Sequence, residues 1–308
     1  MRGWWQDLTD LVLPAECGGC GRPRTVLCPK CRAVLSGTAP SRVRPVPEPC
    51  GLPVVHAAAR YADEVRAMLL AHKERGALAL AAPLGTALAG AVRAGRASGE
   101  AGAPMLLVPV PSARGAVRAR GHDPARRIAL AAAGELRRAG TPARVLAVLR
   151  QGRAVADQSG LNSRQRLDNL AGALTVASGG GRLLAGGGAV VLVDDLMTTG
   201  ASLAEAARAV RAALAEEEGP GDPDGATAEE VDAYGWGTEA PGGCGDRATV
   251  VYRAGSREST GERKAGSTEG AVRRTRGVPG IMAAGRPDDL ICAAVVAAPP
   301  DSFEINRN

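Results

Sequence analysis

Val190-Val191-Leu192-Val193-Asp194-Asp195-Leu196-Met197-Thr198-Thr199-Gly200-Ala201-Ser202 is the stretch on which the reading of this chain turns. Four apolar residues with no polar break fit a short strand buried on both faces. They deliver two carboxylates to its carboxyl end, the edge at which ligands of open α/β sheets bind. Thr198, Thr199 and Ser202 then supply hydroxyls, and Gly200 lets the backbone come close to a ligand. Ala201 continues a run of N–H groups into a helix expected at 203–214, an arrangement that suits a phosphate dianion. Asp194 and Asp195 would face the other end of the same ligand, where carboxylates accept hydrogen bonds from ribose hydroxyls and help to hold Mg²⁺. One segment can thus grip both ends of a ribose 5-phosphate. Two other readings stand beside this one. In the first, the acidic pair merely ends a strand, and Ser202 with Glu205 forms a capping box. In the second, the strand belongs to a nucleotide hydrolase, against which counts the lack of any G-x-x-x-x-G-K-[ST] loop.

Outward from this segment, apolar runs and helical periodicities alternate. Val65, Met68, Leu69 and His72 recur at i, i+3, i+4 and i+7 before Gly76, which predicts a helix from Asp63. An Ala-rich helix follows to about Arg96. Residues 105–110 read as a buried strand ended by Pro111, the Arg-rich stretch 114–121 as a loop, 124–138 as a helix, and 144–149 and 290–297 as further strands. Strands alternating with helices predict an α/β domain, a mostly parallel sheet flanked by helices. A chain of 308 residues has room for one such domain and a smaller module. The expected division is a cysteine module with a Pro-rich linker at 10–55, the α/β domain at 56–215, a low-complexity insert at 216–287, and a returning strand and tail at 288–308. The insert, rich in Gly, Pro, Glu, Asp, Ser and Arg, is expected to be disordered, with only 249–252 resembling a strand.

Cys17-Gly18-Gly19-Cys20 and Cys28-Pro29-Lys30-Cys31 form two C-x₂-C pairs seven residues apart. Four thiolates on two tight turns can surround Zn²⁺ at ~2.3 Å each, and a closed shell of four leaves no open position for catalysis. The expectation is a structural zinc knuckle that stabilises a segment too small for its own core. Free thiols or redox pairs are the alternatives. His56, His72 and His122 lack ligand-like spacing and read as ordinary polar or partly buried residues. Lys73 reads as a cation favourable at a helix C-terminus.

The formal charge of +6 favours anionic partners without separating phosphates from nucleic acid. Lys30, Lys73 and Lys264 are the only lysines among 38 basic residues, the rest being arginine. Apolar runs such as 77–92 are too short or too interrupted for a membrane span, and no signal peptide precedes Pro14. The expectation is a cytoplasmic protein without membrane insertion.

The stretch 190–202 resembles the phosphoribosyl pyrophosphate motif of type I phosphoribosyltransferases. The order of further segments over 10–215 and 288–308 resembles the ComF family of that group. These segments are Tyr61-Ala62-Asp63-Glu64-Val65-Arg66 through Lys73-Glu74-Arg75-Gly76, Val108-Pro109-Val110-Pro111, Arg120-Gly121, and 158–169 with Arg164 and Asn169. The resemblance implies a type I phosphoribosyltransferase fold that binds phosphoribosyl pyrophosphate with Mg²⁺. Asp194 and Asp195 would be the catalytic pair that orients the ribose, and Thr198, Thr199, Gly200, Ala201 and Ser202 would hold the 5-phosphate. The loop with Pro111 and Ser112 would approach the pyrophosphate, and Arg114, Arg118 and Arg120 would ride on a mobile flap closing over it. Guanidinium groups there could neutralise a departing pyrophosphate. Family members often follow that Arg-Gly with an aromatic residue, Asn and Gln, where this chain has His122, Asp123 and Pro124. The activity implied is transfer of the phosphoribosyl group to a nucleobase or another acceptor, although no residue marks the acceptor. The alternative is a non-enzymatic accessory protein of DNA uptake and competence, with the zinc knuckle and basic flap contacting single-stranded DNA or other uptake proteins. Against it, one Phe, three Tyr and three Trp give bases few rings on which to stack.

Overall fold

The computed structural model describes residues 16–96, 104–153, 163–218 and 291–303, all within the unit formed by Met1–Gly225 and Gly285–Asn308. In chain order the strands are β1 Ser41–Val43, β2 Val55–Arg60, β3 Met105–Pro109, β4 Ala143–Val145, β5 Leu149–Gln151, β6 Leu174–Val176, β7 Ala189–Leu196 and β8 Ile291–Ala298. The α-helices are α1 Pro29–Ser36, α2 Asp63–Glu74, α3 Ala81–Ala94, α4 Arg114–Arg120, α5 Pro124–Arg138, α6 Ser163–Leu170, α7 Gly180–Ala185 and α8 Ala201–Glu218. Among the described residues, no helix is long and apolar enough to cross a membrane.

The central sheet runs β1-β2-β8-β7-β3-β4, and every pairing is parallel except that of β1 with β2. β7 lies inside it, with Val190 opposite Leu106 of β3 on one side and Ile291 of β8 on the other. Its side chains alternate between two apolar layers. Val191 and Val193, with Met105, Leu107, Ala294 and Val296, pack among residues of α1, α2, α3 and α5. Val190 and Leu192, with Leu106, Val108, Ala293 and Val295, pack among residues of α8 and the β5–β6 ribbon. Period-two burial on both faces is why these strands read as unbroken apolar runs.

The chain leaves β3 for β4 on one side and returns through β5, α6, β6 and α7 to β7 on the other side of β3. Helix α5, after β3, packs on the first layer through Ile128, Ala132 and Leu136. Helix α8, after β7, packs on the second through Leu203, Ala206 and Val210. The two connections therefore diverge at the carboxyl ends of β3 and β7, which opens a crevice at a topological switch point.

Several elements differ from the sequence expectations. The Arg-rich stretch expected as a loop is helix α4, closed by Gly121, whose N–H reaches the Val117 carbonyl at 2.8 Å. Its Ala and Arg residues are good helix formers, and the charge pattern obscured this. The strand expected at 144–149 divides into β4 in the main sheet and β5, which pairs antiparallel with β6 in a separate two-stranded ribbon. The Pro-rich stretch expected as a linker contributes β1 to the sheet. Helix α8 runs on to Glu218, past the expected end at 214. The expected insert beyond Glu218, including 249–252, lies outside the described residues.

Glu205 on α8 carries a structural load. Its buried carboxylate accepts the Leu174 N–H at 2.9 Å and pairs with Arg208 at 2.8 Å, and Arg208 in turn donates to the Leu174 carbonyl at 2.8 Å. This fork ties the β5–β6 ribbon to α8. It also replaces the capping box, because α8 starts one residue before Ser202 and Glu205 points at the ribbon. Burial alone would raise the Glu205 carboxyl, but Arg208 and the backbone N–H groups hold it below its ordinary value. A lowered carboxyl contributes stability that is present above the unfolded value and is lost as pH falls through the folded one. Glu205→Ala is expected to cost about 3 kcal/mol in urea unfolding at neutral pH, with the deficit shrinking in acid, because it strands a partly buried guanidinium and a strand N–H. A change under about 1 kcal/mol, the range of a surface ion pair, would contradict this role.

Candidate functional site

The crevice between β3 and β7 is a cleft of about 520 Å³. Asp194 and Asp195, at the end of β7, form part of its lining together with Thr198 and Ser202 from the turn into α8. Val110, Pro111, Ser112 and Ala113 contribute from the segment after β3, and the Val110 N–H donates to the Val193 carbonyl at 2.9 Å. That bond holds the post-β3 segment one residue from the acidic pair. Asp123 fixes the same segment from outside, accepting the Ser112 N–H at 3.2 Å while capping α5 through the Arg126 N–H at 3.1 Å.

The turn into α8 is shaped for close approach. Gly200 adopts a left-handed φ of +76°, and a Cβ there would stand 3.1 Å from Leu52 and 3.2 Å from Pro45. Any larger residue would be strained and would press on the segment between β1 and β2. The Gly200 carbonyl accepts the Ala204 N–H, which starts α8 and leaves the N–H groups of its first turn without intrahelical acceptors. A smaller cavity lined by Asp194, Thr198, Thr199, Gly200, Ala201 and Ser202 opens over them. A phosphate-sized anion at this helix N-terminus would meet those donors.

The opposite electrostatics hold at the acidic pair. Lys73, from the last turn of α2, reaches Asp195 with Nζ at 3.1 Å from Oδ2 and 3.5 Å from Oδ1. Burial pulls the ammonium's pKa down, but the charges of Asp195 and Asp194 outweigh it and hold the value above the ordinary one. Asp194 accepts the Asp195 N–H at 2.8 Å, and burial together with the Asp195 charge pushes its carboxyl well above the usual range, with Lys73 opposing. One ammonium thus serves two carboxylates, and the site has room for further positive charge.

Of the expected flap residues, Arg120 lines the cleft and pairs with Glu74 at 3.0 Å, whereas Arg114 and Arg118 are exposed on α4 outside its lining. The sequence reading set Lys73 first as a cation favourable at a helix end and only second as a ligand-binding residue, and it passed over Gln151, Leu170 and Leu174; all four also line the cleft. Lys73 carried a usable signal, as one of three lysines in an arginine-rich chain and on the same helix as the acidic first turn of Asp63 and Glu64. The ribbon residues carried none. His72 and His122 are buried with ring centroids 5.5 Å apart, and the His122 Nε2 donates to the His72 carbonyl at 3.2 Å, which joins the α4–α5 connection to the end of α2.

At the other end of α2, the sulfur atoms of Cys17, Cys20, Cys28 and Cys31 all lie within 4.8 Å of one another. This four-cysteine cluster is able to hold a metal, and the 3.6 Å separation of Cys20 and Cys28 sulfurs is close to the ~3.8 Å edge of a tetrahedron with 2.3 Å metal–sulfur bonds. A Cβ at Gly19 would come within 2.8 Å of the Cys31 sulfur, so the cluster needs glycine between its first two cysteines. Burial pushes the Cys17 thiol up, yet N–H groups of Cys28, Cys20 and Gly19 together pull it down to about 6, so the thiolate is favoured before any metal arrives.

Compared with known proteins, the chain matches no family model, and no curated protein is similar enough to count as a relative.

Because Asp194 pays for its position, Asp194→Asn is expected to raise the midpoint of ligand-free thermal unfolding by a few degrees, about what 1 kcal/mol is worth at this size. A raised carboxyl costs stability where it is ionised. The cost is full above its folded value and disappears below the ordinary carboxylate range. The gain should therefore be largest on the alkaline side and vanish in acid; a variant that melts lower at every pH would contradict the assignment.

Proposed function

We propose that the switch-point cleft binds phosphoribosyl pyrophosphate with Mg²⁺ and that the chain is a type I phosphoribosyltransferase of the ComF kind. The observation that carries this reading is the juxtaposition, within one cleft, of the Asp194–Asp195 pair and the N-terminus of α8. A ligand with a phosphate at one end and a polyhydroxyl ring beside it matches both. Thr198, Thr199, Gly200, Ala201 and Ser202 take the 5-phosphate through hydroxyls and first-turn N–H groups. Asp194 and Asp195 accept from the ribose hydroxyls and would hold Mg²⁺, which supplies charge neutralisation to the diphosphate when bound.

In that reaction a nucleobase or another nucleophile attacks the ribose C1 as the C1–oxygen bond to pyrophosphate breaks. The developing charges are positive on the sugar and negative on the leaving group. The carboxylates of half-buried Asp194 and buried Asp195 stabilise the first. The second meets Arg120 and the backbone of Pro111 and Ser112. Gln151, Leu170 and Leu174 also line the cleft.

The test is calorimetric titration of phosphoribosyl pyrophosphate with Mg²⁺ into the wild type and into the Asp194→Asn, Asp195→Asn variant. The expected outcome is binding by the wild type and at least about a tenfold loss in the variant. Folded wild-type protein that gives no heat would overturn the reading and turn attention to salt-dependent binding of single-stranded DNA.

We further propose that the cysteine cluster holds one structural Zn²⁺ as four thiolates, a state that belongs in a reducing compartment such as the cytoplasm. Cys17, Cys28 and Cys31 are buried in the same apolar layer as Leu35, Leu80 and Met68, so losing the ion would loosen more than the knuckle. Elemental analysis should find one zinc per chain, and chelation should lower the thermal midpoint by at least about 5 °C. A chelator-treated protein that melts unchanged would leave the cysteines as plain thiols.

A further inference from the structure

The last turn of α2 is anchored on either side of Lys73, whose own side chain pairs across the cleft wall with Asp195. Glu74 pairs with Arg120 at 3.0 Å, and the His72 carbonyl accepts from His122 at 3.2 Å. Val65, Met68 and Leu69 root the helix in the core. Between these anchors Lys73 keeps 34% of its side chain exposed, whereas its partner Asp195 keeps 8%. Lys73 is therefore the partner of the pair with more of its side chain open to solvent, and both residues line the cleft.

The two cations of the lining are engaged differently. Arg120 is paired with Glu74, which is not part of the cleft lining. Lys73 is paired with a carboxylate that itself lines the cleft, so the arrival of a ligand changes what Lys73 has to bind. A divalent cation coming to Asp194 and Asp195 would compete for Asp195 oxygens that Lys73 now contacts and would repel the ammonium at short range. A diphosphate arriving with that cation offers the ammonium new acceptors. Lysine suits such an exchange, because a compact charge on a flexible stem can change partners without moving the helix, which the planar fork of arginine does less readily.

We propose that Lys73 is an exchangeable counter-ion, which neutralises Asp195 in the empty cleft, yields it to a divalent cation, and transfers to the diphosphate oxygens that accompany that cation. The identity of the diphosphate ligand rests on the phosphoribosyl pyrophosphate reading; the exchange itself rests on the ion pair and its exposure. Cation and diphosphate then bind cooperatively, because the cation alone displaces an ammonium that has no new partner.

The experiment uses the full zinc-loaded chain as wild type, Lys73→Met and Lys73→Gln, with Mn²⁺ and inorganic pyrophosphate as probes. Free Mn²⁺ is followed by electron paramagnetic resonance, and pyrophosphate binding in the presence of Mn²⁺ by calorimetry. The expected result is opposite in sign for the two probes. Mn²⁺ alone binds at least about threefold more tightly to the variants, whereas pyrophosphate with Mn²⁺ binds at least about tenfold more weakly. Affinities that fall together mark Lys73 as a brace for the fold and overturn the proposal. So do affinities that stay unchanged, or a wild type that takes up neither probe. Lys73→Gln keeps an N–H donor for Asp195 and decides the matter if Lys73→Met does not fold. A wild type that binds Mn²⁺ and pyrophosphate with this inverse response but ignores phosphoribosyl pyrophosphate would sink the ligand reading and leave the exchange standing. Phosphoribosyl pyrophosphate binding that is equal in wild type and variants would do the reverse.

Discussion

Two carboxylates at the end of a strand buried on both faces cannot persist without positive charge brought to them. Much of the structure around β7 answers that requirement. Helix α2 lies in the apolar layer under the sheet and carries Lys73 to Asp195. Arg120 and His122 hold the end of α2, so α4 and the start of α5 are fixed by the same helix. Asp123 then ties the post-β3 segment through Ser112. A continuous series of contacts thus runs from the acidic pair, through α2, to the opposite wall of the cleft.

The cysteine cluster belongs to this arrangement and is not a separate appendage. Its buried sulfurs share an apolar layer with Val65, Met68 and Leu80, and a Cβ at Gly18 would stand 2.6 Å from Leu80. A Cβ at Gly19 would also meet Glu64 of α2 at 3.3 Å. The knuckle therefore abuts the beginning of the helix whose end supplies Lys73. A metal there would brace α2 along its length, giving a four-cysteine site a bearing on a cleft to which it contributes no side chain.

The parts of this design that were legible in the sequence are those written in consecutive residues. The apolar run of β7 followed by Asp194-Asp195 and a hydroxyl-rich turn announces a strand, an acidic edge and a helix start, because strand burial and helix initiation are local patterns. The cysteine pairs are equally local. Lys73 meets Asp195 across 122 residues, and nothing near Lys73 names its partner. The β5–β6 ribbon was illegible for another reason. Its strands are three residues each, too short for periodicity, and Glu205 and Arg208 on α8 hold Leu174 in it from a distance. Arg114 and Arg118, which the resemblance set on a flap over the pyrophosphate, lie exposed on α4 outside the cleft lining, a placement that no local pattern announces.

The position of β8 bears on how the protein is made. This strand lies between β2 and β7, yet in the sequence it follows both, beyond α8 and the insert. A ribosome therefore releases β2 and β7 well before the strand that joins them. Until Ile291–Ala298 emerges, the nascent chain carries an incomplete sheet whose inner strand, β7, has an open apolar edge. Such edges pair readily with neighbouring chains. Closure of the sheet therefore waits on the last strand in the sequence, after all of the segment between α8 and β8 has been made.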